Sequence, residues 1–432
     1  MPVDATIARL SEHVGATVRL RGWLHHRSSK GKLHFVQLRD GSGFAQCVLF
    51  QKDVPEALFE AVGHAGQESS LELEGEVVAD ARAPGGFELK VTGGKLHQSV
   101  EGFPITPKEH GIDFLLERRH LWLRSKRQWA VLRVRDAVIT ALRAFFAERD
   151  FLCVDAPMFM SSACEGTSTL FEVGYFERNA FLTQSGQLYA EAAAMAHGKV
   201  YCFGPTFRAE KSKTRRHLTE FWMLEPEIAY ATLDDVLELA EDMLCHVVQH
   251  VLAHRRPELA ALERDVAKLE AIRKPFPRMR YEEAARILVE HPDSQFRPGD
   301  DLGAPDETIL SQMHDRPLML THYPAEVKAF YMKRDPADPT KALCVDVIGP
   351  EGVGEIIGGS QREDDLDLLL ARIREHGLPE PPLDWYLDLR RYGSVPHAGF
   401  GLGLERTVAW LCGVEHVREC IPFPRTMYRI DP

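Results

Sequence analysis

The sequence lacks the features that mark membrane and secreted proteins. No apolar run approaches the ~20 residues that a helix needs to cross a bilayer. The N-terminus, MPVDATIARLSEHVGA, has no basic flank followed by an apolar core. We therefore predict no secretory signal and a cytoplasmic protein.

Cysteines at metal-binding spacing are also missing. The eight cysteines are scattered along the chain, and none belongs to a Cys-x-x-Cys pair. This distribution argues against a zinc ribbon and against a disulfide scaffold. Most of these thiols are predicted to be small buried hydrophobic groups.

An excess of basic residues is missing too, since the formal net charge is −12. Acidic composition makes a nucleic-acid partner less expected without excluding one, because binding needs only a local basic stripe. The 432 residues include 27% charged and 44% hydrophobic side chains. That length and balance indicate two or three globular domains.

The most informative stretch is Phe207–Pro226, which reads FRAEKSKTRRHLTEFWMLEP. Two runs of strand-forming residues flank a polar loop, and this pattern predicts an antiparallel hairpin with cations at its tip. The cations of the loop are Lys211, Lys213, Arg215, Arg216 and His217. The charge run alone is typical of a solvated loop, whereas its flanks favour a site for polyphosphate or an acidic chain end.

Residues 14 to about 100 alternate apolar and polar side chains in roughly five runs, a pattern that predicts an OB-type barrel. The alternation puts Val36 and Leu38 in the core and Phe35 on the outer face, beside Gln37 and Arg39. An aromatic ring there can stack on an unpaired base. A ring covered by a loop is an equally good interpretation.

Two acidic residues stand on strand-like runs in KALCVDVIGPEGVGEIIGGSQREDD. Asp346 and Glu355 flank a Gly/Pro turn, so they can converge across a hairpin. Mg²⁺ bound to ATP takes one or two carboxylates together with phosphate oxygens. Two solvent-facing acids are the plainer alternative for such a pair.

Together these motifs resemble the class IIb aminoacyl-tRNA synthetases, the family of the aspartyl, asparaginyl and lysyl enzymes, nearly from end to end. The resemblance implies an α+β protein that uses ATP and Mg²⁺, binds tRNA and forms a homodimer. It places an OB-fold anticodon-binding domain at 1–101, a hinge at 102–124, and a class II catalytic domain at 125–432. The catalytic domain is expected to be an antiparallel sheet flanked by helices, with a helical insertion at about 232–315.

The resemblance also assigns roles to individual residues. The implied ATP contacts are Arg208, Glu210, Arg216, His217, Leu218, Phe221, Glu355 and Arg406. Of these, the catalytic residues are Arg208, Glu210 and Arg406. The implied amino-acid contacts are Glu165, Ser185, Gln187, Glu225 and Arg362. The implied metal ligands are Asp346 and Glu355.

Three further residues are assigned to the anticodon, namely Arg27, Phe35 and Gln46, and Pro157 is assigned to a twofold dimer interface. From the residues alone, a surface turn explains Glu165 somewhat better than a substrate contact does. Ser185 and Gln187 are equally well placed to cap a helix.

The choice of amino acid depends on a few positions. The aspartyl relatives carry a lysine where this sequence has Ala190. Without that lysine, a substrate carboxylate would lack a cationic partner, and its binding would cost on the order of several kcal/mol. Glu225 can accept from an amide NH₂ and repel a carboxylate, while Arg362 can donate. Gly358 replaces a serine of the aspartyl relatives, so the metal shell is expected to rely more on water.

We therefore predict the asparaginyl branch: ATP-dependent attachment of L-asparagine to tRNA(Asn) through an asparaginyl adenylate. Three alternatives stay open. An aspartyl-tRNA synthetase of relaxed tRNA specificity shares the fold. An ammonia-dependent asparagine synthetase on the same core has no need of the barrel. A tRNA-binding regulator without catalysis has no need of the metal and nucleotide site.

Overall fold

The structure is a computed structural model, and it describes residues 2–161, 169–212 and 214–432. Close contacts divide the chain into two compact units, Met1–Leu116 and Glu117–Pro432. Within the described ranges, no helix has both the length and the apolar character that a bilayer span requires.

The first unit is a closed β-barrel, which confirms the predicted OB-type fold. Its strands are β1 (Val3–Asp4), β2 (Thr17–Lys30), β3 (Leu33–Arg39), β4 (Phe44–Phe50), β5 (Ser70–Ala79) and β6 (Phe87–Gln98). They are ordered β1-β2-β3-β4-β6-β5, and pairing between β2 and β5 closes the barrel. Helix α1 (Glu56–His64) joins β4 to β5 and buries Phe59 and Val62 in the barrel core.

Alternation along β3 buries Val36 and Leu38 as predicted, because successive side chains of a strand point to opposite faces. Arg39 lies on the outer face as the alternation predicts, opposite Trp23, but it is not exposed to solvent there. Its side chain is buried, its guanidinium donates to Glu68 at 2.7 Å, and it lies 4.9 Å from the centroid of the Trp23 ring. An ion pair and a ring together compensate the burial of this charge.

The second unit is built on one large mixed sheet and two small ones. Its strands are β7 (Leu152–Cys153), β8 (Phe159–Met160), β9 (Glu172–Tyr175), β10 (Arg178–Leu182), β11 (Lys199–Phe207), β12 (Glu220–Ala229), β13 (Arg278–Arg280), β14 (Leu318–Thr321), β15 (Arg334–Asp335), β16 (Asp338–Ala342), β17 (Cys344–Gly349), β18 (Gly354–Gln361) and β19 (His397–Gly403). The large sheet has the order β13-β14-β17-β18-β19-β12-β11-β7. Its pairs from β14 to β11 are antiparallel as predicted, whereas β13 and β7 pair in parallel at the two edges.

Twelve α-helices follow α1 among the described residues, and α2 crosses the boundary between the two units. They are α2 (Ile112–Glu117), α3 (Arg119–Trp122), α4 (Lys126–Ala147), α5 (Gln187–His197), α6 (Leu233–His254), α7 (Arg256–Ala261), α8 (Val266–Glu270), α9 (Tyr281–Glu290), α10 (Ala304–Gln312), α11 (Leu366–Glu375), α12 (Asp384–Arg391) and α13 (Leu404–Cys412). Apolar faces of α4 and α6 share one core with the sheet, through residues such as Val138, Leu142 and Val247. Ser125 caps α4, and Thr232 with Asp235 forms a capping box on α6.

Two segments differ in secondary structure from the prediction. The segment predicted as a hinge, 102–124, includes the whole of α2 and α3. The segment predicted as a helical insertion, 232–315, is mainly helical, but its strand β13 joins an edge of the large sheet.

Candidate active site

The predicted hairpin is present, and it positions several residues of the site. Strands β11 and β12 pair in antiparallel register from Lys199 opposite Ile228 to Phe207 opposite Glu220. The Arg208 N–H donates to the Thr219 carbonyl at 3.0 Å and extends the pairing into the loop. The hairpin thus fixes Arg208 at the mouth of the loop that carries the cations.

Two adjoining cavities lie over β12, β18 and β19. The larger cavity has a volume of about 520 Å³, and the smaller one has about 350 Å³. Arg208, Met223, Glu355 and Gly401 line both, so the two cavities meet at these residues. Residues that are distant in the sequence come together here because antiparallel neighbours in the sheet bring them side by side.

Every residue predicted to contact ATP lines the smaller cavity: Arg208, Glu210, Arg216, His217, Leu218, Phe221, Glu355 and Arg406. The Arg208 guanidinium carbon is 5.4 Å from the centroid of the Phe221 ring. This spacing places a cation beside a flat apolar surface, where a base and a phosphate of one nucleotide can bind together.

The cations of this cavity differ in how they are held. Arg406, near the start of α13, donates to the Glu355 carbonyl at 2.7 Å. Arg216 donates to Glu307 at 3.0 Å and to Thr308 Oγ1 at 2.7 Å, and burial lowers the pKa of its guanidinium. Its charge is therefore compensated within the protein by Glu307, a residue that the sequence reasoning missed.

The side chains of His217 and Glu210 both line the smaller cavity and lie next to each other. His217 Nε2 lies 3.4 Å from Glu210 Oε2, and its Nδ1 lies 3.2 Å from Ser212 Oγ. Burial and the charge of Arg406 lower the pKa of the imidazole below its ordinary value. A neutral ring at pH 7 follows, so His217 is suited to hydrogen bonding rather than to carrying charge.

The two predicted metal ligands converge across the β17–β18 hairpin. A Cβ added at Gly358 would lie 2.8 Å from Glu355 Oε1 and 3.9 Å from Asp346 Oδ1, which brackets the space between the carboxylates. Burial and the charge of Asp346 raise the pKa of Glu355 to about 7. Two carboxyl groups this close favour a cation between or beside them.

A lysine that the sequence reasoning missed already meets one of these acids. Lys328 Nζ donates to Asp346 Oδ2 at 2.7 Å and to Asp301 Oδ1 at 3.2 Å. Burial works against its charge, but the two aspartates outweigh burial and raise the pKa of the ammonium. Among the residues with described positions, no group of three or more His, Cys, Asp or Glu side chains is arranged to hold a metal ion.

The larger cavity is lined by Ser185, Gln187, Glu225 and Arg362, which are predicted amino-acid contacts. Glu165, the fifth predicted contact, lies outside the described residues, as does Lys213 of the hairpin loop. The Glu225 carboxylate is buried and accepts hydrogen bonds from Ser185 Oγ and, at 2.8 Å, from the Gly186 N–H. Gly186 is the N-cap of α5, so Glu225 also lies at the positive end of that helix.

Arg362 lines the larger cavity, and its positive charge is paired with Glu227. Its Nε donates to Glu227 Oε2 at 3.2 Å, its Nη2 donates to Glu227 Oε1, and its Nη1 donates to Ser360 Oγ at 2.8 Å. Burial works against the charge, but Glu227 outweighs burial and raises the pKa of the guanidinium. A bidentate pair of this kind presents N–H donors without a surplus of positive charge.

Ala190, the position at which the aspartyl relatives carry lysine, is 1% exposed and does not line the larger cavity. Its neighbours are small apolar side chains, including Ala194, Val200 and Cys202. A small side chain here lets α5 pack closely against β11.

In the barrel, the predicted anticodon residues do not all share one face. Phe35 on β3 and Gln46 on β4 do, since Gln46 is opposite Gln37, two residues along from Phe35. Gln46 Nε2 donates to Glu88 at 3.1 Å. Arg27 is opposite the buried Val36, on the other face, and donates to the Gly63 carbonyl of α1.

Pro157 is exposed, and several apolar side chains close to it in the sequence are exposed as well. Leu152, Met158 and Phe159 are 46%, 51% and 53% exposed. Leu152 belongs to β7, which forms one edge of the large sheet. An exposed apolar patch beside a strand edge is typical of a protein interface.

Comparison with known proteins bears on both units. Residues 111–427 match the family of tRNA synthetases class II (D, K and N), and residues 18–96 match the OB-fold nucleic acid binding domain. The chain is 58% identical to an asparagine–tRNA ligase of Sorangium cellulosum, over 100% of this chain and 99% of that protein. It is 55% identical to an asparagine–tRNA ligase of Thermus thermophilus, over 99% of each chain.

Solved structures give the same picture. The asparaginyl-tRNA synthetase of Pyrococcus horikoshii, complexed with asparaginyl-adenylate, matches with a TM-score of 0.96 and 44% identity over 100% of both chains. A putative aspartyl-tRNA synthetase of Leishmania major matches with a TM-score of 0.85 and 26% identity, over 100% of this chain and 94% of the other.

Proposed function

The chain belongs to the class II tRNA synthetases of the D, K and N group, within the asparagine–tRNA ligases, and we propose that its two cavities bind ATP and L-asparagine during this reaction. The function is attachment of asparagine to tRNA through an asparaginyl adenylate. The strongest support for the assignment of the cavities is their junction at Arg208, where a nucleotide phosphate and a substrate carboxylate can meet.

In the smaller cavity, adenine stacks on Phe221 and the α-phosphate contacts Arg208. The Phe221 ring and the Arg208 guanidinium are 5.4 Å apart, which suits the two ends of an adenosine phosphate held side by side. Arg406 and His217 lie on the same wall and contact the outer phosphates. Glu210, which holds His217, is a positioning residue for that contact.

The chemistry is positioning and charge neutralisation. A carboxylate oxygen of asparagine attacks the α-phosphorus, the new P–O bond forms, and the bond to pyrophosphate breaks. The terminal ribose hydroxyl of tRNA then attacks the acyl carbon, and AMP leaves. Arg208 and Arg406 stabilise the negative charge that builds on phosphate oxygens, and no side chain serves as a nucleophile.

Mg²⁺ fits the residues present. Glu355, with a pKa raised to about 7, and the adjacent Asp346 offer the oxygen ligands that this ion takes. Because Lys328 already engages Asp346, Glu355 is the more available ligand. When bound with ATP, Mg²⁺ would neutralise phosphate charge, and phosphate oxygens and water would complete its shell.

The choice of asparagine over aspartate follows from the larger cavity. Arg362 donates to the amide oxygen and Glu225 accepts from the amide nitrogen. Arg362 is neutralised by Glu227, so a carboxylate gains little here while Glu225 repels it. The comparisons support an asparagine–tRNA ligase over the alternatives, namely a relaxed aspartyl enzyme, an ammonia-dependent asparagine synthetase and a non-catalytic tRNA-binding regulator.

The test is aminoacylation of tRNA with purified protein. We expect ATP-dependent transfer of labelled asparagine to tRNA(Asn), and no free asparagine from aspartate, ATP and ammonium. Formation of free asparagine in the second reaction, without charging in the first, would establish the synthetase alternative instead.

Two further parts of the proposal concern partners. The barrel binds the anticodon through Phe35 and Gln46, because these side chains share the outer face of β3 and β4. The chain forms a twofold homodimer through the exposed patch around Pro157. Light scattering that gives the mass of one chain, 48.8 kDa, at micromolar concentration would contradict the dimer. A cytoplasmic location stays a prediction from the sequence.

A further inference from the structure

A layer of buried charged residues lies directly behind the larger cavity. Gln187 and Arg362 line the cavity, and each is held by a glutamate that does not line it. Gln187 Nε2 donates to Glu191 Oε1 at 3.0 Å, and Arg362 donates to both oxygens of Glu227. The two donors that face the substrate are thus each fixed from behind by a carboxylate.

Glu191 is held by three more donors on its other oxygen. Tyr386 Oη, Arg390 Nη2 and His397 Nε2 lie 2.7, 2.9 and 2.9 Å from Glu191 Oε2. The side chains of Glu191, Arg390 and His397 are fully buried. Burial works against the charge of this carboxylate, but Arg390, His397 and Arg362 together outweigh burial and lower the pKa of Glu191.

Burial of this many charges is costly unless each is paired. Here each arginine of the layer has its own glutamate, Arg390 with Glu191 and Arg362 with Glu227. The same ion pairs that offset the cost of burying these charges also determine the charge of the groups that face the substrate. At the cavity, Gln187 is a neutral donor, and the positive charge of Arg362 is cancelled one layer below by Glu227.

Resting on the proposed function, we propose that Glu227 and Glu191 are positioning residues that make this cavity selective for a neutral carboxamide. Glu227 holds the Arg362 guanidinium in one orientation and cancels its charge, so that it donates to the amide oxygen without attracting a carboxylate. Glu191 holds Gln187 in place and anchors α5 to α12 and β19 through Arg390 and His397.

The Glu227→Gln variant tests the role of charge. It keeps the size of the side chain and one acceptor oxygen, but it leaves Arg362 uncompensated. In ATP–pyrophosphate exchange we expect KM for asparagine to rise about tenfold, the loss of roughly one charge-assisted hydrogen bond. We also expect the ratio of kcat/KM for asparagine to that for aspartate to fall at least about tenfold, with KM for ATP within about twofold of wild type.

Two further variants separate geometry from charge. Glu227→Asp keeps the charge and withdraws it from Arg362, so KM for asparagine should rise while the asparagine to aspartate ratio stays near that of wild type. Glu191→Gln should raise KM for asparagine through Gln187 and change the ratio much less than Glu227→Gln does. Equal loss of selectivity in all three would overturn the charge argument.

Glu258→Gln is the matched control. Glu258 is also a buried glutamate paired with an arginine, Arg133 at 2.6 Å, and it lies outside both cavities. It should lower stability without changing either KM. If Glu227→Gln fails to fold, the Asp variant still decides, since an unchanged KM for asparagine there would overturn positioning.

Failure of this inference differs from failure of the proposed function. If wild type shows no asparagine-dependent exchange, the function itself is wrong. If wild type is active and Glu227→Gln keeps both its KM for asparagine and its selectivity, only the positioning role is wrong.

Discussion

The raised pKa of Glu355 gives the free protein a stability that depends on pH. Burial and the nearby Asp346 raise this pKa from 4.5 to about 7. A carboxyl with a raised folded-state pKa contributes stability that is fully present below the unfolded pKa and is lost as pH rises through the folded one. The free protein should therefore lose stability from this group between about pH 4.5 and pH 7 and remain at the lower level above.

The size of the effect follows from the shift. One pKa unit corresponds to about 1.4 kcal/mol, so a shift of this size costs about 3 kcal/mol at most when Glu355 is fully ionised. The assay is urea denaturation at pH 6 and pH 8 of wild type and of Glu355→Gln, whose side chain does not titrate. We expect the variant to gain stability relative to wild type as pH rises, by about 1 kcal/mol or more.

A bound cation should offset the same cost. Because Mg²⁺ binds the ionised carboxylate, it should raise the stability of wild type more at pH 8 than at pH 6, and this difference should be lost in Glu355→Gln. A stability difference between wild type and variant that is flat from pH 6 to pH 8 would refute the reasoning, since it would mean that Glu355 does not titrate in this range.

Three other predictions concern separate parts of the molecule. Arg208→Ala should lower kcat of asparagine-dependent exchange at least about a hundredfold, because it removes a donor to the reacting phosphate, and an effect confined to KM would contradict that role. Phe35→Ala should weaken tRNA charging and leave asparagine-dependent exchange near wild type, whereas equal loss of both would exclude a separate anticodon role. Lys328→Met should lower the free energy of unfolding by about 3 kcal/mol, because it leaves Asp346, whose side chain is only 13% exposed, without its ammonium partner. Unchanged stability in denaturant would show that Asp346 is solvated well enough without it.

Local patterns in the sequence predicted the parts of the fold that depend on neighbours along the chain. Alternation in β3 and β4 indicated the barrel, and strand-forming runs around a polar loop indicated the β11–β12 hairpin. The acidic pair Asp346 and Glu355 was also predictable, because a short turn joins their strands.

Contacts between distant segments could not be predicted in this way. Arg362 and Glu227 are 135 positions apart, and Glu191 and His397 are 206 apart. No periodicity links such residues, so their pairing appears only once the sheet brings β12, β18 and β19 together. The same reason explains why the partners of Arg39 and Lys328 were missed.

The position of Arg27 shows a finer limit. Strand β2 has an irregularity between Leu24 and His26, and the register shift places Arg27 opposite Val36. One extra residue in a strand moves every later side chain to the other face. His26, opposite Gln37, thereby shares the outer face with Phe35, a placement that the alternation alone did not indicate.

The central claim is that a cavity in which Glu227 cancels the charge of Arg362 prefers a carboxamide to a carboxylate. Its most direct test is ATP–pyrophosphate exchange by the wild-type protein with asparagine and with aspartate, compared as kcat/KM at equal Mg²⁺ and ATP. The account predicts strong exchange with asparagine and weak or undetectable exchange with aspartate. Exchange with aspartate that equals or exceeds exchange with asparagine would contradict it.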